Sequence, residues 1–114
     1  MLTAKQMIDW LKLQENEAEG GYFVGIYQSP LSSAIYYFLD ASGFSVLHRV
    51  TGDMIYHFYT GDPVQMLLLY PDGSPIHSEI CVLSNDIAAG GSPTKVIPGG
   101  TWIGSRLIAG VAMH

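Results

Sequence analysis

The chain has 114 residues, of which 13% are charged and 48% hydrophobic, and ten acidic against five basic side chains give a formal net charge of −5. So few cations exclude broad binding of nucleic acid or of an anionic membrane surface, because both need clustered Lys and Arg. No apolar run approaches the roughly 20 residues of a membrane helix, and the length predicts a single domain over residues 1–114. The single Cys81 is typical of a protein of the reducing cytoplasm.

The first predicted element is a short helix over residues 4–13. Thr3 and Gln6 have the spacing of a capping box at its start. An apolar stripe at helical spacing follows, and we expect it to pack against the rest of the domain. The stripe consists of Met7, Trp10 and Leu11.

The remainder of the chain predicts strands without intervening helices. Short runs rich in Tyr, Phe, Val and Ile alternate with clusters of Gly, Pro, Asp and Ser. Such spacing favours an all-β sandwich or barrel over an α/β fold. The strands are predicted near residues 22–28, 33–39, 44–50, 54–60, 64–70, 76–83, 94–98 and 101–109.

Several of these strands are apolar on both faces. In strand 44–50, simple alternation gives one face with Phe44, Val46, His48 and Val50 and another with Ser45, Leu47 and Arg49. An antiparallel sheet with one solvated face should instead alternate between apolar and polar residues. Together with the low charge, this predicts a closed barrel whose outer face is covered by a second copy, that is, a homodimer.

His48 is the residue with the clearest chemical potential. On an apolar strand face, desolvation favours the neutral imidazole that a general base requires. The alternative, and the more common case, is a core histidine satisfied by one hydrogen bond. Glu19 precedes the Gly20-Gly21 break and either reaches a cavity mouth or ends a solvated acidic segment.

A second histidine lies in a pattern that superficially resembles a metal site. His77, Glu79 and Cys81 share one face of a predicted strand. A metal needs three or four converging ligands, so a half-solvated strand face is the stronger interpretation.

Four segments carry a family resemblance that covers nearly the whole chain: EGGYF at 19–23, SAIYYFL at 33–39, HRVTGDMIYHFYTGDP at 48–63 and IPGGTW at 97–102. In order and spacing they resemble the small single-domain cupins of unassigned activity that are described as predicted sugar epimerases. The resemblance implies a double-stranded β-helix, a jelly-roll barrel with a ligand pocket inside, in a protein that is usually dimeric.

The metal ligands of the general cupin pattern are mostly missing. That pattern has two histidines as H-x-H, a glutamate shortly after, and a further histidine beyond P-x-G. Carried over, His48 takes the first position, whereas Val50, Met54 and Ile103 stand at the other three. Because a transition metal needs several N or O donors, the resemblance implies a site without a bound metal and without a cofactor.

The resembling proteins also continue through at least one more strand, whereas this sequence ends at His114. The expectation is a barrel shortened at its C-terminus, whose open edge pairs or exchanges strands with a second copy.

Three hypotheses about function follow. The first is a protein that binds a small, carbohydrate-like molecule in the barrel, with Glu19, Tyr36, Met54 and Ile103 in contact with the ligand. The low number of cations favours an unphosphorylated ligand.

The second is a metal-independent sugar epimerase or isomerase with His48 as general base, Tyr56 or Tyr36 as acid and Glu19 as orienting group. The third is a degenerate structural dimer without a ligand.

Overall fold

A computed structural model describes residues 3–40, 44–108 and 112–113, the last two by their backbone. The helix α1 spans Ala4–Leu11. The predicted capping box is confirmed, since the Thr3 side chain accepts from the Gln6 N–H and Gln6 Oε1 accepts from the Thr3 N–H. The helix ends two residues earlier than predicted because Lys12 adopts the left-handed conformation with φ 56°.

The apolar stripe of α1 covers the outer side of two strands. Met7 and Leu13 form a buried cluster with Phe38, joined by Ala4, Ile8 and Leu11. The expectation that Trp10 belongs to this stripe is wrong, because 65% of its surface is exposed. At about 100° per residue, Trp10 lies roughly 60° beyond the edge of the arc that the buried side chains occupy.

The described residues form eleven strands, each predicted segment containing one of them. Three further strands of two residues each, over residues 14–15, 60–61 and 112–113, were not predicted. The strands are β1 (Gln14–Glu15), β2 (Tyr22–Gln28), β3 (Ser33–Leu39), β4 (Phe44–Arg49), β5 (Met54–His57), β6 (Thr60–Gly61), β7 (Val64–Leu69), β8 (Ser78–Leu83), β9 (Thr94–Ile97), β10 (Trp102–Leu107) and β11 (Ala112–Met113). The last residue of the predicted strand 101–109, Ala109, lies outside the described residues.

The strands form an all-β jelly roll. One sheet has the order β1-β2-β3-β11-β6, a second has the order β4-β10-β7-β8, and β5 pairs with β9. The strand pairs are antiparallel. The barrel core consists of fully or nearly fully buried side chains from all three sheets. Its buried members are Leu39, Val50, Phe58, Val64, Met66, Leu68, Leu83, Ile97 and Ile103.

A β-bulge in β4 changes which residues face the core. His48 is opposite Ile103 and Ser45 is opposite Ser105, so two residues of β4 lie against the single Gly104. The expected face is therefore wrong at its first half: Phe44 and Val46 are exposed, and Ser45 is buried in their place. Beyond the bulge the predicted alternation is restored, and His48 and Val50 point inward.

Candidate functional site

The candidate site lies at one end of the barrel, where a single row of side chains crosses the four-stranded sheet. His48 pairs with Ile103, Ile103 with Leu68, and Leu68 with Glu79. Partner residues in antiparallel strands point to the same side of a sheet. We call this set the His48 row. It has a titratable side chain at each end and buried hydrocarbon in its middle, since Ile103 is 1% and Leu68 0% exposed.

The orientation of the His48 ring is fixed by the backbone of its own strand. Its Nδ1 lies 2.9 Å from the carbonyl oxygen of Val46. A carbonyl can only accept, so Nδ1 carries the proton and Nε2 is the basic nitrogen of the neutral ring. Nε2 lies 3.5 Å from Glu19 Oε2, and the two side chains are 22% and 41% exposed.

Glu19 is held beside His48 by the tight loop that follows it. Its carbonyl oxygen accepts a hydrogen bond from the Val46 N–H at 2.7 Å. The next residue, Gly20, has φ 93°, and a Cβ atom there would lie 1.9 Å from the Phe44 carbonyl oxygen. Only glycine fits this approach. The Tyr37 hydroxyl donates to the Gly20 carbonyl, which ties the loop to β3.

Glu19 lies close enough to Tyr56 to affect the pKa of this tyrosine. Burial, and after it the neighbouring Tyr37 and Glu19, raise the pKa of Tyr56 well above that of a free tyrosine. Its phenol therefore stays protonated at neutral pH and acts as a hydrogen-bond donor. Burial likewise raises the pKa of Tyr37. The structure thus brings four inward-facing side chains into one group: Glu19, Tyr37, His48 and Tyr56.

Tyr36, predicted to contact the ligand, does not belong to this group. It lies on the outer side of β3 with the cluster that α1 covers, and its ring meets Tyr59 edge to face at 5.8 Å. Its neighbour Tyr37 packs against the barrel core instead. The alternation of side chains along a strand predicts this difference, because Tyr37 shares a face with Leu39 rather than with Phe38.

A second polar group lies at the other end of the His48 row, and the sequence-based interpretation missed its role. Glu79 accepts from the Tyr70 hydroxyl at 2.6 Å, and the Lys95 Nζ lies 3.0 Å from both Glu79 oxygens. These hydrogen bonds lower the pKa of Glu79, and the bond from Tyr70 has the largest effect. Burial raises the pKa of Tyr70 to about 12. The face that Glu79 and Cys81 share is half-buried, in line with the predicted half-solvated face, and His77 on the same side is exposed.

Lys95 links the two polar groups across the barrel. It is the antiparallel partner of Tyr56, so both side chains emerge on the same side of the β5–β9 pair. The adjacent partners on that side, Met54 and Ile97, pack with the core. No pattern in the sequence marks Lys95, because its contact with Glu79 depends on how the sheets close.

The residues at the cupin metal positions do not fit a metal. His48 stands directly beside Ile103, which is fully packed, and Val50 is 5% exposed. Met54 offers only a thioether, a soft donor unlike the carboxylate of the general pattern. No cluster of three or more His, Cys, Asp or Glu side chains that could hold a metal occurs within residues 3–40 and 44–108. Imidazole from one histidine alone is an insufficient donor set.

Two clefts lie on the outside of the molecule. A cleft of about 510 Å³ runs between the tips of β2 and β3, and one of about 270 Å³ lies between residues 15–22 and β4. Neither is lined by His48, Tyr56 or Lys95. The interior of the barrel is filled by packed side chains.

A jelly-roll barrel with polar groups at one mouth defines a class of protein rather than an activity. The chain belongs to the cupin superfamily: residues 5–113 match the family Cupin_5, described as "Cupin superfamily (DUF985)". This confirms the resemblance to a small cupin family of unassigned activity.

Two solved structures share this fold along nearly the whole chain. Protein SO0799 from Shewanella oneidensis is 28% identical with a TM-score of 0.87, and the match covers 99% of this chain and 75% of that one. A hypothetical protein from Leishmania major is 22% identical with a TM-score of 0.87, covering 98% of this chain and 78% of that one. No curated protein matches the chain. Within the described residues, no helix is long and apolar enough to cross a membrane.

Proposed function

We propose that this cupin binds a small, uncharged polyhydroxylated molecule, of the carbohydrate type, at the mouth of its barrel and without a metal. The observation that carries the proposal is the His48 row, with a His–Glu pair near one end and a Lys–Glu–Tyr group at the other. The side chains of these two pairs are partly exposed beside a packed apolar core, and a few polar groups at the edge of an apolar pocket are the groups that orient a polar ligand.

The proposal is tested by titrating the ¹⁵N-labelled protein with neutral monosaccharides and following backbone and imidazole signals by NMR. We expect saturable shifts at His48, Tyr56 and Lys95, and their loss in His48→Asn. The matched control is His57→Asn, since His57 is exposed and faces away from Tyr56 on the same strand. Shifts that stay confined to the two outer clefts would contradict the proposal.

The second candidate function is a metal-independent epimerase or isomerase. What favours it is the fixed tautomer of His48, whose Nε2 faces Glu19, together with the protonated Tyr56. In this reaction Nε2 removes the proton on the carbon next to the substrate carbonyl, and Tyr56 supplies a proton on the other side. Deuterium exchange from D₂O into keto-sugars should occur with the wild type and stop in His48→Asn; equal exchange in both would remove His48 from the mechanism.

We also propose that the protein is a homodimer and that a second copy covers the outer face of the β4-β10-β7-β8 sheet. Leu47, Leu67, Ile80 and Trp102 are exposed on this face. Gly104 lies among them, opposite Leu67 in the strand register and next to the backbone of Leu47. With only 13% charged residues in the chain, an apolar face of this kind is typical of an interface between copies.

A further inference from the structure

We infer that the Lys95–Glu79–Tyr70 group is a hydroxyl-binding subsite that selects neutral sugars over acidic or phosphorylated ones. The inference rests on the proposed binding function and adds to it the substrate class and the residues that determine it. The hydrogen bonds within the group leave some of its donors and acceptors unused.

The unused hydrogen-bond donors and acceptors of the group match those of a hydroxyl. An ammonium has three N–H donors, and the two contacts of Lys95 with Glu79 use two of them. Glu79 Oε1 accepts from both Tyr70 and Lys95, whereas Oε2 accepts from Lys95 alone. The group thus offers one donor, the third N–H of Lys95, beside acceptor positions on Glu79 Oε2 and on the Tyr70 oxygen. A sugar hydroxyl donates one hydrogen bond and accepts another, so it can use the donor and one of the acceptors.

The charge of the subsite argues against an anion. Lys95 is neutralised by Glu79 at 3.0 Å on both oxygens, and the lowered pKa of Glu79 keeps that carboxylate ionised. A carboxylate or phosphate on the ligand would meet Glu79 as well as Lys95, and Glu19 adds a second negative charge at the opposite end. Like charges in a partly desolvated site repel strongly.

The subsite is connected to Tyr56 through Lys95. Lys95 contacts Glu79 and is the antiparallel strand partner of Tyr56. The charge of Glu19 also acts on Tyr56. A neutral ring bound at Tyr56 would therefore meet the subsite through Lys95.

The inference is tested by comparing neutral and acidic forms of the same ring. The wild type, Glu79→Gln and Lys95→Met are titrated with D-galactose, D-galacturonate and inorganic phosphate, following NMR shifts near Lys95. Asp9→Asn serves as the control, because it changes the net charge by the same amount on exposed α1. Cooperative thermal unfolding verifies that each variant is folded.

We expect the wild type to bind D-galactose at least 10-fold more tightly than D-galacturonate. In Glu79→Gln the uncancelled charge of Lys95 should reduce or reverse this preference by 10-fold or more and produce new phosphate binding. Lys95→Met should weaken the binding of D-galactose without any increase in the binding of D-galacturonate.

An unchanged preference in Glu79→Gln, with D-galactose binding retained, overturns this inference alone. Absence of galactose shifts at His48 in the wild type, with phosphate binding gained in Glu79→Gln, contradicts the proposed function and leaves the charge cancellation standing.

Discussion

His48 of β4 and Ile103 of β10 are antiparallel partners, so the imidazole of this cupin lies beside a packed aliphatic side chain at the position where the general pattern has its last histidine. Two contacts between titratable side chains lie along the same row of the sheet. His48 is paired with Glu19, and Lys95 with Glu79.

The first prediction concerns metal removal. Dialysis against EDTA should leave the Tm and the sugar-induced NMR shifts unchanged, because three of the four positions of the metal pattern carry Val50, Met54 and Ile103. The Tm is measured by circular dichroism before and after dialysis. A fall of several degrees that Zn²⁺ or Mn²⁺ restores would contradict the assignment of a metal-free site.

The second prediction concerns the loop that carries Glu19. Gly20→Ala should destabilise the fold by roughly 2–4 kcal/mol, since the new Cβ would combine a strained positive φ with a clash against the Phe44 carbonyl. Gly25→Ala is the control, because no atom lies within 4 Å of a Cβ there. Urea unfolding measures both variants. Equal stability of the two would show that the loop can shift freely and that Glu19 is not held in place.

The third prediction concerns pH. Hydrogen bonds from Tyr70 and Lys95 lower the pKa of Glu79 below its ordinary value of 4.5. The stabilisation is therefore fully present above about pH 4.5 and is lost as the pH falls through the lowered pKa. In Tm measurements from pH 6 to pH 3, Glu79→Gln should be less stable than the wild type at pH 6, and the difference should shrink towards pH 3. A constant difference would contradict the ion pair.

The fourth prediction concerns assembly. Ile80→Glu on the outer face of the β4-β10-β7-β8 sheet should convert a dimer into a monomer, because it buries an unpaired charge in the interface. Leu31→Glu, at a position that is 97% exposed on the β2–β3 turn, should leave the dimer intact. Light scattering coupled to size-exclusion chromatography measures the mass. Dissociation by Leu31→Glu instead of Ile80→Glu would assign the interface to the β2–β3 hairpin.

Much of the fold is predictable from the sequence, because its signals are local. The capping box at Thr3 and the eight strand segments follow from short-range spacing. The faces of β4 were mispredicted because a bulge opposite Gly104 shifts the alternation by one residue, and nothing in strand 44–50 itself indicates where an extra residue lies.

The candidate site is predictable only in part. His48, Glu19 and Tyr56 stand out by residue type and motif, and the structure brings them together. Lys95 and Glu79 do not, since they lie sixteen residues apart on different sheets and meet only through closure of the barrel. Tyr36 and Tyr37 differ by one position, which decides between the outer cluster under α1 and the barrel interior.

The central claim, that the His48 row binds a neutral sugar-like molecule, is tested most directly by NMR titration of the wild type and His48→Asn with D-galactose and other neutral monosaccharides. The account predicts saturable shifts at His48, Tyr56 and Lys95 that disappear in His48→Asn and persist in His57→Asn. Absence of shifts at all three residues in the wild type, with each sugar present at high millimolar concentration, would contradict it.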